Sequence, residues 1–293
     1  MARPSGRPAS SPYVPLGLGV ACVSLGSIFV RMAEASPLAV AFHRVFLASL
    51  FLAPFATAPL VRSWRTVPRR SRMALVASGV ALALHFATWT FSLSYTSVAS
   101  SVLLVNTAPV FTLGLSWVFL GETVPPLVVG AILAALAGAA LIAAGDWTGA
   151  AHSLTGAALA VTGAVTLSLY HVIGRGLRRA LPLEAYVLAV WSIAALTLAA
   201  LGVCTRASLF GQPPRALVWL LALALIPTLA GHGLVNLSLR ALPAPTVGLF
   251  LLGEPVAATA LAYLVFGETP GIWTLSGGLV VLAALATVIG GTR

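Results

Sequence analysis

The chain has 293 residues, of which 59% are hydrophobic and 8% charged, with 27 glycines and a mean hydropathy of +1.03. A soluble domain carries about 25% charged residues, so a water-soluble globular fold is excluded. The net charge of +10 comes from 16 arginines against 6 acids, and it collects in the links between apolar runs, where it marks membrane topology rather than a nucleic-acid surface.

Ten apolar spans of about membrane length follow one another, and their all-round hydrophobicity is that of lipid-embedded helices. The first, 13–30, follows Arg3 and Arg7 in the manner of a signal peptide, but its removal would break the repeat described below. The second, 37–57, opens on Pro37 and contains Arg44. The third, 73–94, carries His85, Thr88, Trp89 and Ser92 at helical spacing on one face. In the fourth, 97–119, Asn106 and Thr107 precede Pro109, and in the fifth, 125–145, Gly130, Ala134 and Gly138 form a small-residue ridge suited to close helix contact. That contact is internal or between subunits, and nothing in the composition favours a homodimer.

The sixth span, 153–173, holds Thr162, Thr166 and Tyr170, and the seventh runs over 182–203. The eighth, 216–238, carries Thr228, His232 and Asn236 just after Pro227, whose missing N–H makes this helix a candidate for bending. Glu254 and Pro255 lie near the middle of the ninth, 244–266, and the tenth covers 271–290. Five arginines between 62 and 72 and three at 175, 178 and 179 read as linker charges on the cytoplasmic side, so both termini are expected in the cytoplasm of a bacterial-type cell. The two cysteines form no disulfide framework.

The two halves repeat. Gly121-Glu122-Thr123 returns as Gly267-Glu268-Thr269 at an offset of 146, as do Pro109 at Pro255, Ser92 at Ser238 and Gly145 at Gly291. An odd number of spans per copy inverts the second copy in the membrane, the plan of carriers that hold substrate between their halves. The expected organisation is a cytoplasmic tail at 1–12, repeats at 13–145 and 153–290, a linker at 146–152 and a tail at 291–293.

Pro37 with Arg44, the run Asn106-Thr107-Ala108-Pro109-Val110 leading to Leu120-Gly121-Glu122, and Gly253-Glu254-Pro255-Val256 leading to Phe266-Gly267-Glu268 give the chain a resemblance. It resembles the EamA-type branch of the drug/metabolite transporter superfamily over about residues 13 to 290. That resemblance implies paired five-helix domains and export of small metabolites, amino acids among them, with aromatic amino acid exporters of the YddG type as near relatives.

Ionisable groups inside a membrane cost about 2.5–3.5 kcal/mol each on insertion scales, so those retained are candidates for function. The residues expected to contact substrate are His85, Trp89, Asn106, Tyr170, His232 and Glu254, with Pro109, Pro227 and Pro255 shaping the moving helices. For Glu254, a proton carrier or ammonium partner and a hydrogen-bonded packing residue both remain open. Arg44, seven residues from the start of its span and so about 10 Å from the membrane surface, could hold a substrate carboxylate by two parallel hydrogen bonds, but off the mid-depth site it reads rather as structural, snorkelling outward or pinning a carbonyl. Glu122 and Glu268 read as helix-end or gating groups.

Rival functions have little support. The single Asp, Asp146, lies in a loop, and neither HExxH nor G-x-S-x-G occurs. His85, His232 and Glu254 stand on three separate spans without the close-spaced ligand pair of a zinc site, so no metal or cofactor is expected. No ring of like charges or repeated filter loop supports a channel. The expected partners are a small-molecule substrate and the lipid bilayer, the substrate being an amino acid or, alternatively, an organic cation expelled against protons.

Overall fold

The computed structural model describes residues 11–96, 98–145, 154–178, 180–267 and 269–291. The 146–152 linker, Asp146, Arg179 and Glu268 lie outside the described residues, as does most of each tail. The architecture is all-helical, and its helices run as α1 (Tyr13–Ala33), α2 (Pro37–Thr66), α3 (Arg69–Ser92), α4 (Val98–Val105 and Ala108–Leu120) and α5 (Pro126–Gly145). The second half comprises α6 (Leu154–Arg178), α7 (Leu183–Thr205), α8 (Pro214–Ser238), α9 (Ala244–Leu251 and Glu254–Phe266) and α10 (Ile272–Gly291). All ten are long and apolar enough to cross a membrane.

Local chemistry sets the boundaries. Ser36 caps α2 by accepting from the Ala39 N–H at 3.4 Å, with Pro37 in the first helical position, where its missing donor is harmless. Gly121 and Gly267 end α4 and α9 at φ of 62° and 70°, the left-handed turn that favours glycine. Both α4 and α9 break at mid-length into a single tight turn, Thr107 N–H to Leu104 C=O at 3.2 Å and Gly253 N–H to Phe250 C=O at 3.0 Å. In each the new helix restarts with proline at its second position, Pro109 and Pro255, because proline is tolerated in a first turn and not in a helix interior.

A shift of 146 carries Val98–Val105 onto Ala244–Leu251, Ala108–Leu120 onto Glu254–Phe266 and Pro126–Gly145 onto Ile272–Gly291, residue for residue. Packing obeys the same exchange: α3 lies on α6 as α8 lies on α1, and α4 lies on α6 as α9 lies on α1. The self-related pairs α2 with α7 and α5 with α10 close the bundle. The fold is thus two inverted five-helix repeats.

The small-residue ridge on α5 divides. A Cβ on Gly138 would lie 2.7 Å from the Gly277 carbonyl of α10, so this is an internal helix contact, whereas a Cβ on Gly130 would meet nothing within 4 Å beyond its own helix.

Two departures from the sequence reading concern arginines. Helix α2 continues to Thr66, so Arg62 and Arg65 occupy its last turns, and α6 continues to Arg178, so Arg175 and Arg178 are helical and buried rather than linker charges. The physical reason is that a guanidinium on an apolar stem can cap exposed carbonyls. Arg175 donates from Nε to Glu122 Oε1 at 3.0 Å and from Nη1 to the Leu239 and Arg240 carbonyls at 2.9 and 2.8 Å. Arg178 donates to the Asn236 carbonyl at 3.3 Å and to that of Leu181. Together they tie the ends of α4, α6 and α8 on the face where α1 begins and α10 ends.

Candidate substrate cavity

A cavity opens between the repeats beside both helix breaks. Its wall includes His85, Phe86 and Trp89 of α3, Asn106 and Pro109 of α4, His171 of α6, His232 of α8 and Glu254 of α9, with Arg44 of α2. Its volume is about 80 Å³.

Helix α3 presents His85 and Trp89 one turn apart, their rings nearly parallel at an interplanar angle of 3° and 6.4 Å between centroids. His85 Nδ1 lies 2.9 Å from the Gly163 carbonyl of α6. A carbonyl only accepts, so Nδ1 carries a hydrogen, and in the neutral ring Nε2 keeps its lone pair. The other two residues of that sequence stripe face elsewhere: Thr88 bonds the Leu84 carbonyl at 2.7 Å, and Ser92 bonds Ser101 at 2.6 Å, fastening α3 to the first half of α4.

The middle of α8, Ala224–His232, is π-helical, with five-residue bonding that widens the turn around Pro227. The Thr228 hydroxyl donates to the Leu223 carbonyl at 2.9 Å, five residues back, which leaves its oxygen lone pair free for Arg44. His232 Nε2 faces Arg44 Nη2 at 3.4 Å. Because a guanidinium is donor only, Nε2 accepts and the hydrogen sits on Nδ1, which finds no partner among the described residues. Pro227 itself packs toward Gly26 of α1 rather than lining the cavity.

Of the six residues expected to touch substrate, His85, Trp89, Asn106, His232 and Glu254 are brought together and Tyr170 is not. Tyr170 is fully buried, its hydroxyl accepting from Asn236 Nδ2, a contact that pins α6 to α8. The cavity-facing residues of α6 are Leu167 and His171 instead, one position further round the helix. A one-residue step rotates a side chain by about 100° at 3.6 residues per turn, so Thr166 and Tyr170 are buried against protein while Thr162 is exposed. His171 carries a buried Nε2 without a partner among the described residues.

Arg44 is the larger surprise. Although its Cα sits near a helix end, the long side chain reaches inward, and it is 3% exposed. Its Nε donates to the Thr228 hydroxyl at 3.3 Å and its Cζ lies 3.8 Å from the centroid of the Phe86 ring, a cation–π contact. Phe86 and His232 are related by the 146-residue shift and meet edge to face at 5.7 Å. Arg44 therefore sits where the two repeats confront each other. Among the described residues no group of three or more His, Cys, Asp and Glu side chains is arranged to hold a metal ion.

Comparison with known proteins agrees with this architecture. Residues 14–144 and 154–290 each match the profile of the EamA-like transporter family. A protein of Archaeoglobus fulgidus described as an uncharacterized transporter is 26% identical over 264 residues, spanning 88% of this chain and 89% of its own length. One solved crystal structure superposes with a TM-score of 0.74 at 17% identity, covering 95% of this chain and 96% of the other, which speaks to the fold alone.

Proposed function

This chain belongs to the EamA-like transporter family, a multi-pass membrane transporter of small solutes, and we propose that it exports amino acids with apolar or aromatic side chains. It does so across the cytoplasmic membrane with both termini inside, by alternating access to the central cavity. The observation that carries this reading is the cavity wall, which holds a carboxylate, Glu254, and the parallel rings of His85 and Trp89 beside the broken segments of both repeats. Polar groups fix a solute's orientation and an aromatic wall receives its apolar part. Broken helices offer free backbone groups at the same depth.

A second reading, proton-coupled efflux of organic cations, rests on the same Glu254, an acid on the wall of the cavity. The two separate in reconstituted vesicles. Labelled leucine or phenylalanine exchanges in counterflow if amino acids are the substrates. Saturable uptake of organic cations with no amino acid exchange selects the second reading, and the absence of both overturns the first and second alike. Glu254→Gln, assayed with and without a pH gradient, reports coupling: loss of gradient-driven accumulation with exchange retained makes Glu254 the proton carrier.

A further inference from the structure

Resting on the amino acid reading of the cavity, we propose that Arg44 is its carboxylate anchor, binding the α-carboxylate of the substrate while Glu254 receives the ammonium. A guanidinium presents five N–H groups in a planar fork. Thr228 takes the Nε hydrogen and His232 one hydrogen of Nη2, so protein groups hold one edge of the fork. The end formed by Nη1 and the second hydrogen of Nη2 bonds to none of the described residues, and the side chain borders the cavity. That end is the geometry that meets a carboxylate through two parallel hydrogen bonds.

The surroundings hold the charge in place without neutralising it. Thr228 and Phe86 carry no charge, and His232 meets Arg44 through a lone pair. Glu254, on the opposite repeat, is close enough for its charge to act on Arg44, yet no hydrogen bond joins them among the described residues. A buried charge whose bonded neighbours are all neutral is costly, and inside a membrane such a group marks a functional site. The repeat gives neither residue a charged counterpart: the equivalent of Glu254 is Ala108, and that of Arg44, at the 145-residue offset of Pro37 and Pro182, is Ala189. One cation from the first repeat and one acid from the second, both bordering one cavity and not hydrogen-bonded to each other among the described residues, match a zwitterion. A simple amine or a simple acid would leave one of them unanswered.

Three probes separate the contributions: leucine, its amide, which lacks the carboxylate, and 4-methylpentanoate, which lacks the ammonium. Their binding is read as thermal stabilisation of the purified full-length protein. Wild type is expected to respond to leucine most, to 4-methylpentanoate less and to leucinamide least. Arg44→Gln is expected to weaken leucine binding about ten- to a hundredfold, the loss of a charge-assisted pair, and to leave the weak leucinamide response unchanged. Arg44→Lys, which keeps charge but not the fork, falls between. Equal responses of wild type to leucine and leucinamide, or leucine binding retained in Arg44→Gln, overturn the anchor and leave the amino acid reading standing. Wild type unmoved by leucine, phenylalanine and tryptophan overturns both. If neither Arg44 variant yields folded protein, the guanidinium is structural and the anchor is wrong.

Discussion

The broken helices α4 and α9 superimpose in sequence register, yet their first halves live in different surroundings. Residues 244–250 of α9 are buried throughout, while Val102 to Val105, the α4 counterparts of 248 to 251, are only half-buried and partly line the cavity. Gly248 fits against Pro109, where an added Cβ would stand 3.5 Å from the proline Cα. Under the repeat this contact corresponds to Val102 with Pro255, but the first half of α4 barely meets the second half of α9, whereas the first half of α9 packs on the second half of α4. The structure is therefore closed on the face that carries the Arg175 ties and looser on the other. Fold symmetry and local asymmetry answer different questions: the shared register builds the scaffold, and the departures from it, His232 for Phe86, Glu254 for Ala108 and Asn106 for Leu252, make the site.

The largest effect is expected where the closed face is tied. Arg175→Met removes the guanidinium that Glu122 and two carbonyls share, and each hydrogen bond to a charged group contributes about 1.5–3 kcal/mol. Thermal unfolding in detergent checks the loss. The same variant should raise thiol labelling of a cysteine placed at Val247, deep in the first half of α9, whereas unchanged labelling would show that the ties do not hold this face shut.

A middle-sized effect is expected at the self-related α5–α10 contact. Gly138→Ala and Gly277→Ala each drive a methyl into backbone of the facing helix, an overpacking cost of about 1–3 kcal/mol, while Gly130→Ala should be neutral. Melting temperatures of the three variants check this, and equal destabilisation at Gly130 would place a partner against that exposed side of α5.

The smallest expected effect distinguishes wall from scaffold. Tyr170→Phe removes the buried hydrogen bonds of its hydroxyl with Asn236 and Trp191, worth about 1 kcal/mol each, and should lower the melting temperature modestly while leaving the KM for leucine unchanged. Trp89→Ala should do the reverse, weakening exchange of phenylalanine more than that of alanine with little change in melting. A KM change in Tyr170→Phe would return that residue to the site.

Much of the scaffold was legible because the signals that end helices are short and local. Gly121 and Gly267, which marked the repeat after the fourth and ninth spans, sit in left-handed caps, and Pro109 and Pro255, read as shaping helices, stand where two helices restart. Polar residues in apolar spans also stood out, which brought His85, Trp89, Asn106, His232 and Glu254 into view. What stayed hidden depends on rotation and reach. A stripe of three hydroxyls on α6 did not settle which way the helix faces, so Tyr170 was read for His171. Depth measured at the Cα misplaced Arg44, whose guanidinium bonds Thr228, about 20 Å along α8 from Pro214 at 1.5 Å per residue. The π-helical stretch depends on backbone bonding, and Pro227 hinted only at a bend.

Sided access to the cavity tests the account most directly. With Cys22 and Cys204 replaced by serine, Val105→Cys places a thiol on the cavity wall beside the α4 break. A membrane-impermeant maleimide is then added to either face of oriented vesicles, with and without saturating leucine. An alternating carrier predicts that leucine raises labelling from one face and lowers it from the other. Equal labelling from both faces that leucine leaves unchanged would contradict it.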